Sequence, residues 1–65
     1  MKVVVRIPER EDYEFKGPMR VLDVVQKLDF LPEEVIVIRR DELLTRNEVV
    51  EDTDEIEVRP AVSGG

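Results

Sequence analysis

Apolar and polar positions alternate along the first stretch of the chain. Val3, Val5 and Ile7 fall on one face and Lys2, Val4 and Arg6 on the other, the period of two that marks a β-strand. Pro8 closes it, because a proline has no N–H to give to a ladder. After the polar link Glu9-Arg10-Glu11, residues 12–16 alternate again and turn Tyr13 and Phe15 inward. Two short strands joined this way predict an antiparallel hairpin. Past Gly17-Pro18 the period lengthens to 3.6: Val21, Val24, Val25 and Leu28 share one arc, while Asp23, Gln26 and Lys27 point away, which predicts an amphipathic helix over 20–28. A helix this short holds only when packed on a sheet.

The second half returns to strands. Residues 35–38, Val-Ile-Val-Ile, are apolar on both faces, as in a strand with neighbours on both sides or a partner on its outer face. Arg39 to Glu42 turns the chain, Leu43 to Thr45 reads as a short edge strand, and 46–54 as a polar connection with Val49 and Val50 tucked beneath it. Residues 55–59 alternate with Ile56 and Val58 inward, and Pro60 ends the element. The order is β-β-α-β-β-loop-β, an α+β domain with one main helix on one face of a mixed sheet.

Composition narrows the chemistry. In 65 residues there is no cysteine and no histidine, which removes disulfides, thiolate sites and the commonest general base and metal ligand. A domain of this size buries only about 60% of the surface of its unfolded chain, so a single apolar core must hold it. The 16 acidic and 10 basic residues leave a net charge of −6, which repels nucleic-acid phosphates and argues against direct RNA or DNA binding. No apolar run approaches the roughly 20 residues of a membrane span, and the start lacks the long apolar stretch and cleavage site of a signal peptide. A cytoplasmic protein is the expectation. The carboxylates around residues 9–14 and 48–57 lack the glycine and ligand spacing of a calcium loop and read as solvated surface; no metal ligands are assigned.

The chemically distinctive feature is the ending Ser63-Gly64-Gly65. Without Cβ atoms, such an end passes through a narrow channel and lets another backbone or a phosphate approach closely. Alone, it is equally compatible with a frayed terminus. Taken with the element order, the acidic stretch Asp52-Thr53-Asp54-Glu55 leading into Ile56-Glu57-Val58, and the tail Arg59-Pro60-Ala61-Val62-Ser63-Gly64-Gly65, it makes the whole chain resemble the ThiS/MoaD family of ubiquitin-like sulfur carriers. The opening Val3-Val4-Val5-Arg6-Ile7-Pro8-Glu9-Arg10 and the segment Glu42-Leu43-Leu44-Thr45 look nearest to carriers serving 2-thiouridine synthesis in tRNA of thermophilic bacteria. Two positions depart from the family pattern: Asp52 stands where many members have glycine, and Gly17-Pro18-Met19 lacks the Ser/Thr helix cap often found there.

The resemblance implies a β-grasp fold over residues 1–60, with the first and last strands parallel at the sheet centre, and a flexible tail over 61–65. It implies that an E1-like enzyme uses ATP to adenylate the Gly65 carboxylate, that a sulfur donor of the cysteine desulfurase or rhodanese type converts the adenylate to a thiocarboxylate, and that a biosynthetic enzyme takes the sulfur. The candidate pathways are tRNA 2-thiolation, which is favoured, thiamin thiazole formation and molybdopterin formation. The protein is then a co-substrate with no cofactor and no catalytic residues of its own. Ala61, Val62, Ser63 and Gly64 thread the channel, five residues beyond Pro60 reaching at most about 17 Å. Val4, Arg6, Ile36, Ile38 and Arg59, on the sheet face opposite the helix, are the candidate docking surface for the activating enzyme. A protein modifier joined through Gly65 to lysines of target proteins shares the same activated end and is the alternative. A β-grasp binding module with an incidental Gly-Gly end is the third reading.

Overall fold

A computed structural model describes residues 1–61. In chain order the elements are β1 (Lys2–Arg6), β2 (Arg10–Glu14), β3 (Met19–Arg20), α1 (Val21–Lys27), a 3-10 turn (Pro32–Glu34), β4 (Val35–Arg39), β5 (Glu42–Leu44), β6 (Val49–Val50) and β7 (Glu55–Pro60). Five strands form one sheet in the order β2-β1-β7-β4-β5, and β3 pairs with β6 in a small separate ladder. The β1–β7 pairing is parallel, with Val3 opposite Ile56 and Val5 opposite Val58; β1–β2, β7–β4 and β4–β5 are antiparallel. One α-helix packed on a mixed sheet whose first and last strands run parallel at its centre is the β-grasp arrangement. Among the described residues, no helix is long and apolar enough to cross a membrane.

The alternation seen in the sequence supplies the core. Val3 and Val5 of β1, Ile56 and Val58 of β7, Val35 and Val37 of β4, and Leu44 of β5 meet Val21, Val24 and Val25 of α1, with Val50 closing one side. Each valine or isoleucine buried in this way contributes about 1.5–3 kcal/mol. Burial therefore holds in place a helix whose valines give it modest intrinsic propensity.

The missing helix cap is replaced by backbone. No side chain caps α1 at Arg20; instead Val21 N–H donates to the Glu48 carbonyl at 2.9 Å and Leu22 N–H to that of Arg46 at 3.0 Å. Two of the free donors at the helix start are satisfied by the connection that follows β5. The same connection forms β6, whose Val49 and Val50 pair with Arg20 and Met19. The helix starts one residue later than the pattern predicts because Arg20 belongs to this ladder. At the other end, Phe30 N–H reaches the Val25 carbonyl and Asp29 N–H that of Gln26, a Schellman closure with Asp29 at φ 68° in the position usually taken by glycine.

Two expectations need correction. Tyr13 shares a face with Val3 but is 37% exposed, because β2 is an edge strand and α1 does not extend over it; Phe15, half-buried, packs on the core instead, with Lys27 Nζ 5.5 Å from its ring centre. Val50 is fully buried as expected, whereas Val49 is exposed, since successive strand residues face opposite ways.

Asp52 has a structural role. Its Oδ1 accepts a 2.8 Å hydrogen bond from Gly17 N–H and lies 3.7 Å from the Met1 amine. The approach is close enough that a Cβ on Gly17 would stand 2.8 Å from the Asp52 backbone nitrogen. Gly17→Ala is expected to lower stability by about 1–3 kcal/mol through this overlap, measured by denaturant unfolding; an unchanged midpoint would show that the joint is loose. Asp29→Gly is expected to raise stability by up to about 1 kcal/mol, since glycine enters the left-handed region without a Cβ penalty, and a lowered melting temperature would contradict it.

Candidate functional site

The sheet face away from α1 is open. Strand register lays out its rows: Asp12, Val4, Glu57, Ile38 and Leu43 run across the middle of the five strands. Toward the end of β7 stand Arg10 and Arg6, opposite each other, and Arg59 opposite Ile36; toward its start, Lys2 lies between Glu14 and Glu55. An open depression of about 510 Å3 occupies this face, lined by Val4, Arg6, Arg10, Ile38, Arg40 and Glu57 among others. Val4, only 6% exposed, lines the hollow together with the long charged side chains of Arg6, Arg10 and Glu57. Ile36 and Ile38 are half-buried. Leu43, 61% exposed beside Ile38, is the protruding apolar group.

Glu57 organises the charges. Arg59 reaches it twice, Nε at 3.0 Å from Oε2 and Nη2 at 3.3 Å from Oε1, and Arg6 Nε pairs with the same Oε2. Glu57 consequently titrates below the usual carboxylate range: the Arg59 hydrogen bond is the largest cause, desolvation opposes it, and Arg6 adds to the lowering. A second clasp lies at the turn before β7. Asp54 accepts from Glu51 N–H at 2.8 Å and from Arg39 Nη1 at 3.0 Å. Its pKa is lowered first by the Glu51 bond and then, against some desolvation, by Arg39. Arg39, whose backbone lies beside β7, thereby fastens the acidic turn.

The chain leaves the sheet beside this face. Pro60 pairs with Val35, and Ala61 N–H donates to the Glu34 carbonyl at 2.9 Å, so Ala61 is tied to the body and also begins the proposed threading segment. Val62, Ser63, Gly64 and Gly65, including the residue expected to be activated, lie outside the described residues. The five docking residues expected from the sequence do share one face. Sequence reasoning missed Glu57 and Leu43 as parts of it. Glu57 carried a signal in the alternation of 55–59, which puts it on the outward side with Arg59. The pair Leu43-Leu44 showed that one of the two had to face outward. Among the described residues, no group of three or more His, Cys, Asp or Glu is placed to hold a metal ion.

The ThiS family profile matches residues 4–65 of the chain. Among curated proteins, the chain is 43% identical over 65 residues, covering all of both chains, to the sulfur carrier protein TtuB of Thermus thermophilus.

The arginine clasp makes a pH-dependent contribution to stability. Because the folded-state pKa of Glu57 is depressed, that contribution is complete above the ordinary glutamate value of about 4.3 and is lost as pH falls through the lower folded value. Thermal melts of wild type and Glu57→Gln should differ most above the ordinary glutamate range and converge as pH falls below it, through the depressed folded-state value. A gap independent of pH would exclude the ionised carboxylate as its source.

Proposed function

The chain belongs to the ThiS family, and from that premise we propose that it is a sulfur carrier acting as a co-substrate. In this reading, an E1-like enzyme binds the open sheet face and takes up the C-terminal tail. The Gly65 carboxylate attacks the α-phosphorus of ATP, pyrophosphate leaves, and an acyl-adenylate forms. The outer sulfur of a persulfide on a cysteine desulfurase or rhodanese type donor then attacks the acyl carbon and displaces AMP. A second thiol cleaves the resulting acyl disulfide, taking the donor sulfur into a new disulfide and leaving the thiocarboxylate, which a biosynthetic enzyme consumes. ATP belongs to the activating enzyme. Sulfur delivery to tRNA 2-thiolation is the favoured pathway, on the resemblance of the opening strand and the 42–45 segment to such carriers; thiamin thiazole and molybdopterin synthesis are the others. The whole cycle takes place in the cytoplasm.

The observation that carries the proposal is the full-length match to a protein named as a sulfur carrier. The physical division of labour agrees with it. A carboxylate resists nucleophiles through its own charge, and making it reactive requires cations and oriented donors that stabilise developing negative charge. The chain itself, without histidine or cysteine, contributes reach and slimness. Its last strand runs directly toward the tail, and glycine at the final positions admits close approach by the activating site.

Intact-mass analysis after incubation with an E1-like enzyme, ATP and a sulfur source tests this. The expected product is the protein with one oxygen replaced by sulfur. Higher-mass species linked to lysines would favour the protein-modifier alternative. Removal of Gly65 should abolish either product while leaving the melting temperature unchanged. Full function of the truncated chain in its pathway would eliminate both and leave a β-grasp binding module.

A further inference from the structure

We infer that Arg6 and Arg59, held side by side on Glu57, form an orienting contact for a carboxylate-bearing surface of the activating enzyme, next to the opening that receives the chain's end. This rests on the sulfur-carrier reading and specifies the chemistry of the partner surface, which the family membership leaves open.

The first support is that stability calls for one arginine on Glu57 and the structure places two there. One arginine neutralises Glu57; here two contact the same carboxylate. Exposed ion pairs contribute little each, and a second cation on an already neutralised anion adds repulsion from the first. Both arginine side chains remain exposed, at 46% and 52%. An arginine carries five N–H donors in a rigid fork. Arg6 faces Glu57 through Nε, and a guanidinium carries further N–H groups that can meet a carboxylate in the two-pronged geometry that arginine favours.

The second support is the charge distribution. The protein as a whole carries −6, so at long range it is drawn to basic surfaces. The corner toward the end of β7 departs from this: Arg6, Arg10 and Arg59 stand against Glu57 and the Arg10-bound Asp12. At the opposite end of the same face, Lys2 lies between Glu14 and Glu55. Among these groups the corner holds three arginines against two carboxylates, whereas around the start of β7 Lys2, Arg39 and Arg40 stand among Glu14, Asp54 and Glu55. A local excess of positive charge orients a complementary partner during encounter. Arg59 lies two residues before Ala61, whose N–H is fixed to Glu34, so the arginine corner lies beside the point where the chain leaves the sheet. Because Glu57 holds both side chains, less rotamer freedom is lost when the partner binds.

The experiment is ATP–pyrophosphate exchange by the E1-like enzyme of the same organism, with the carrier concentration varied at low and at high salt. Arg6→Gln/Arg59→Gln is expected to raise KM for the carrier about tenfold, the scale of one lost charge-assisted contact, with kcat nearly unchanged because the reacting group is elsewhere. The wild-type KM should rise with salt, and the double variant's much less. Arg59→Lys should fall between the two, retaining the charge without the fork. Melting curves establish that each variant is folded; if the double variant is not, Arg6→Gln and Arg59→Gln singly carry the test. An unchanged or lowered KM in a folded variant overturns the inference while exchange by the wild type preserves the sulfur-carrier reading. Absence of exchange with the wild type overturns both. If the variants lose affinity for tRNA in filter binding while KM stays the same, the surface serves phosphate and the inference fails.

Discussion

The parallel ladder between β1 and β7 is the constraint on which the other contacts depend. It joins the beginning of the chain to its end, with Val3 beside Ile56 and Val5 beside Val58, all four in the core. Parallel strands cannot be joined by a tight turn, so residues 7–54 act as one long crossover that includes the helix and both outer strands. The cost of closing such a long loop must be met by burial at this seam. The same pairing brings the ends of β1 and β7 together at one edge of the open face, so that Arg6 and Arg59 can share Glu57. Core and candidate site are two sides of one ladder.

The connection between β5 and β7 looks in sequence like a polar spacer and acts in the structure as a brace. Its carbonyls at Arg46 and Glu48 cap the helix, Val50 enters the core, and Asp52 holds Gly17. Asp54 then fastens Arg39 to the turn before the last strand. Both departures from the family pattern are absorbed here: the absent helix cap is replaced by backbone carbonyls, and Asp52 bonds to a glycine that leaves room for it. The acidic clusters near the last strand therefore include specific contacts as well as solvated charge.

Most of the fold was legible in the sequence because alternation and helical period report burial directly. Val3, Val5, Val24, Val25, Ile56 and Val58 could be assigned to the core from spacing alone. Parallel pairing of the outer segments came from resemblance, since periodicity gives a strand its faces and not its neighbours. The β3–β6 ladder was illegible because two-residue strands are too short to show a period. Tyr13 was misjudged because alternation tells which face a residue takes and does not tell how far the helix reaches across that face. The residues of the open face were legible as a set, being the outward positions of three strands. The role of Glu57 required register, which lines it up with Val4 and Ile38 and places it within reach of two arginines.

The hydrogen bond from Ala61 to Glu34 sets an origin for measurement. Four residues follow it in the sequence, and covalent geometry limits their stretch to about 14 Å. In the proposed cycle, a catalyst that grips the body of this protein keeps its reactive centre within that radius. Lengthening the chain by a single residue would shift the endpoint by up to about 3.5 Å, more than the separation between neighbouring atoms in a reaction. In that cycle the spacing between clasp and final carbon is a yardstick that carrier and catalyst share.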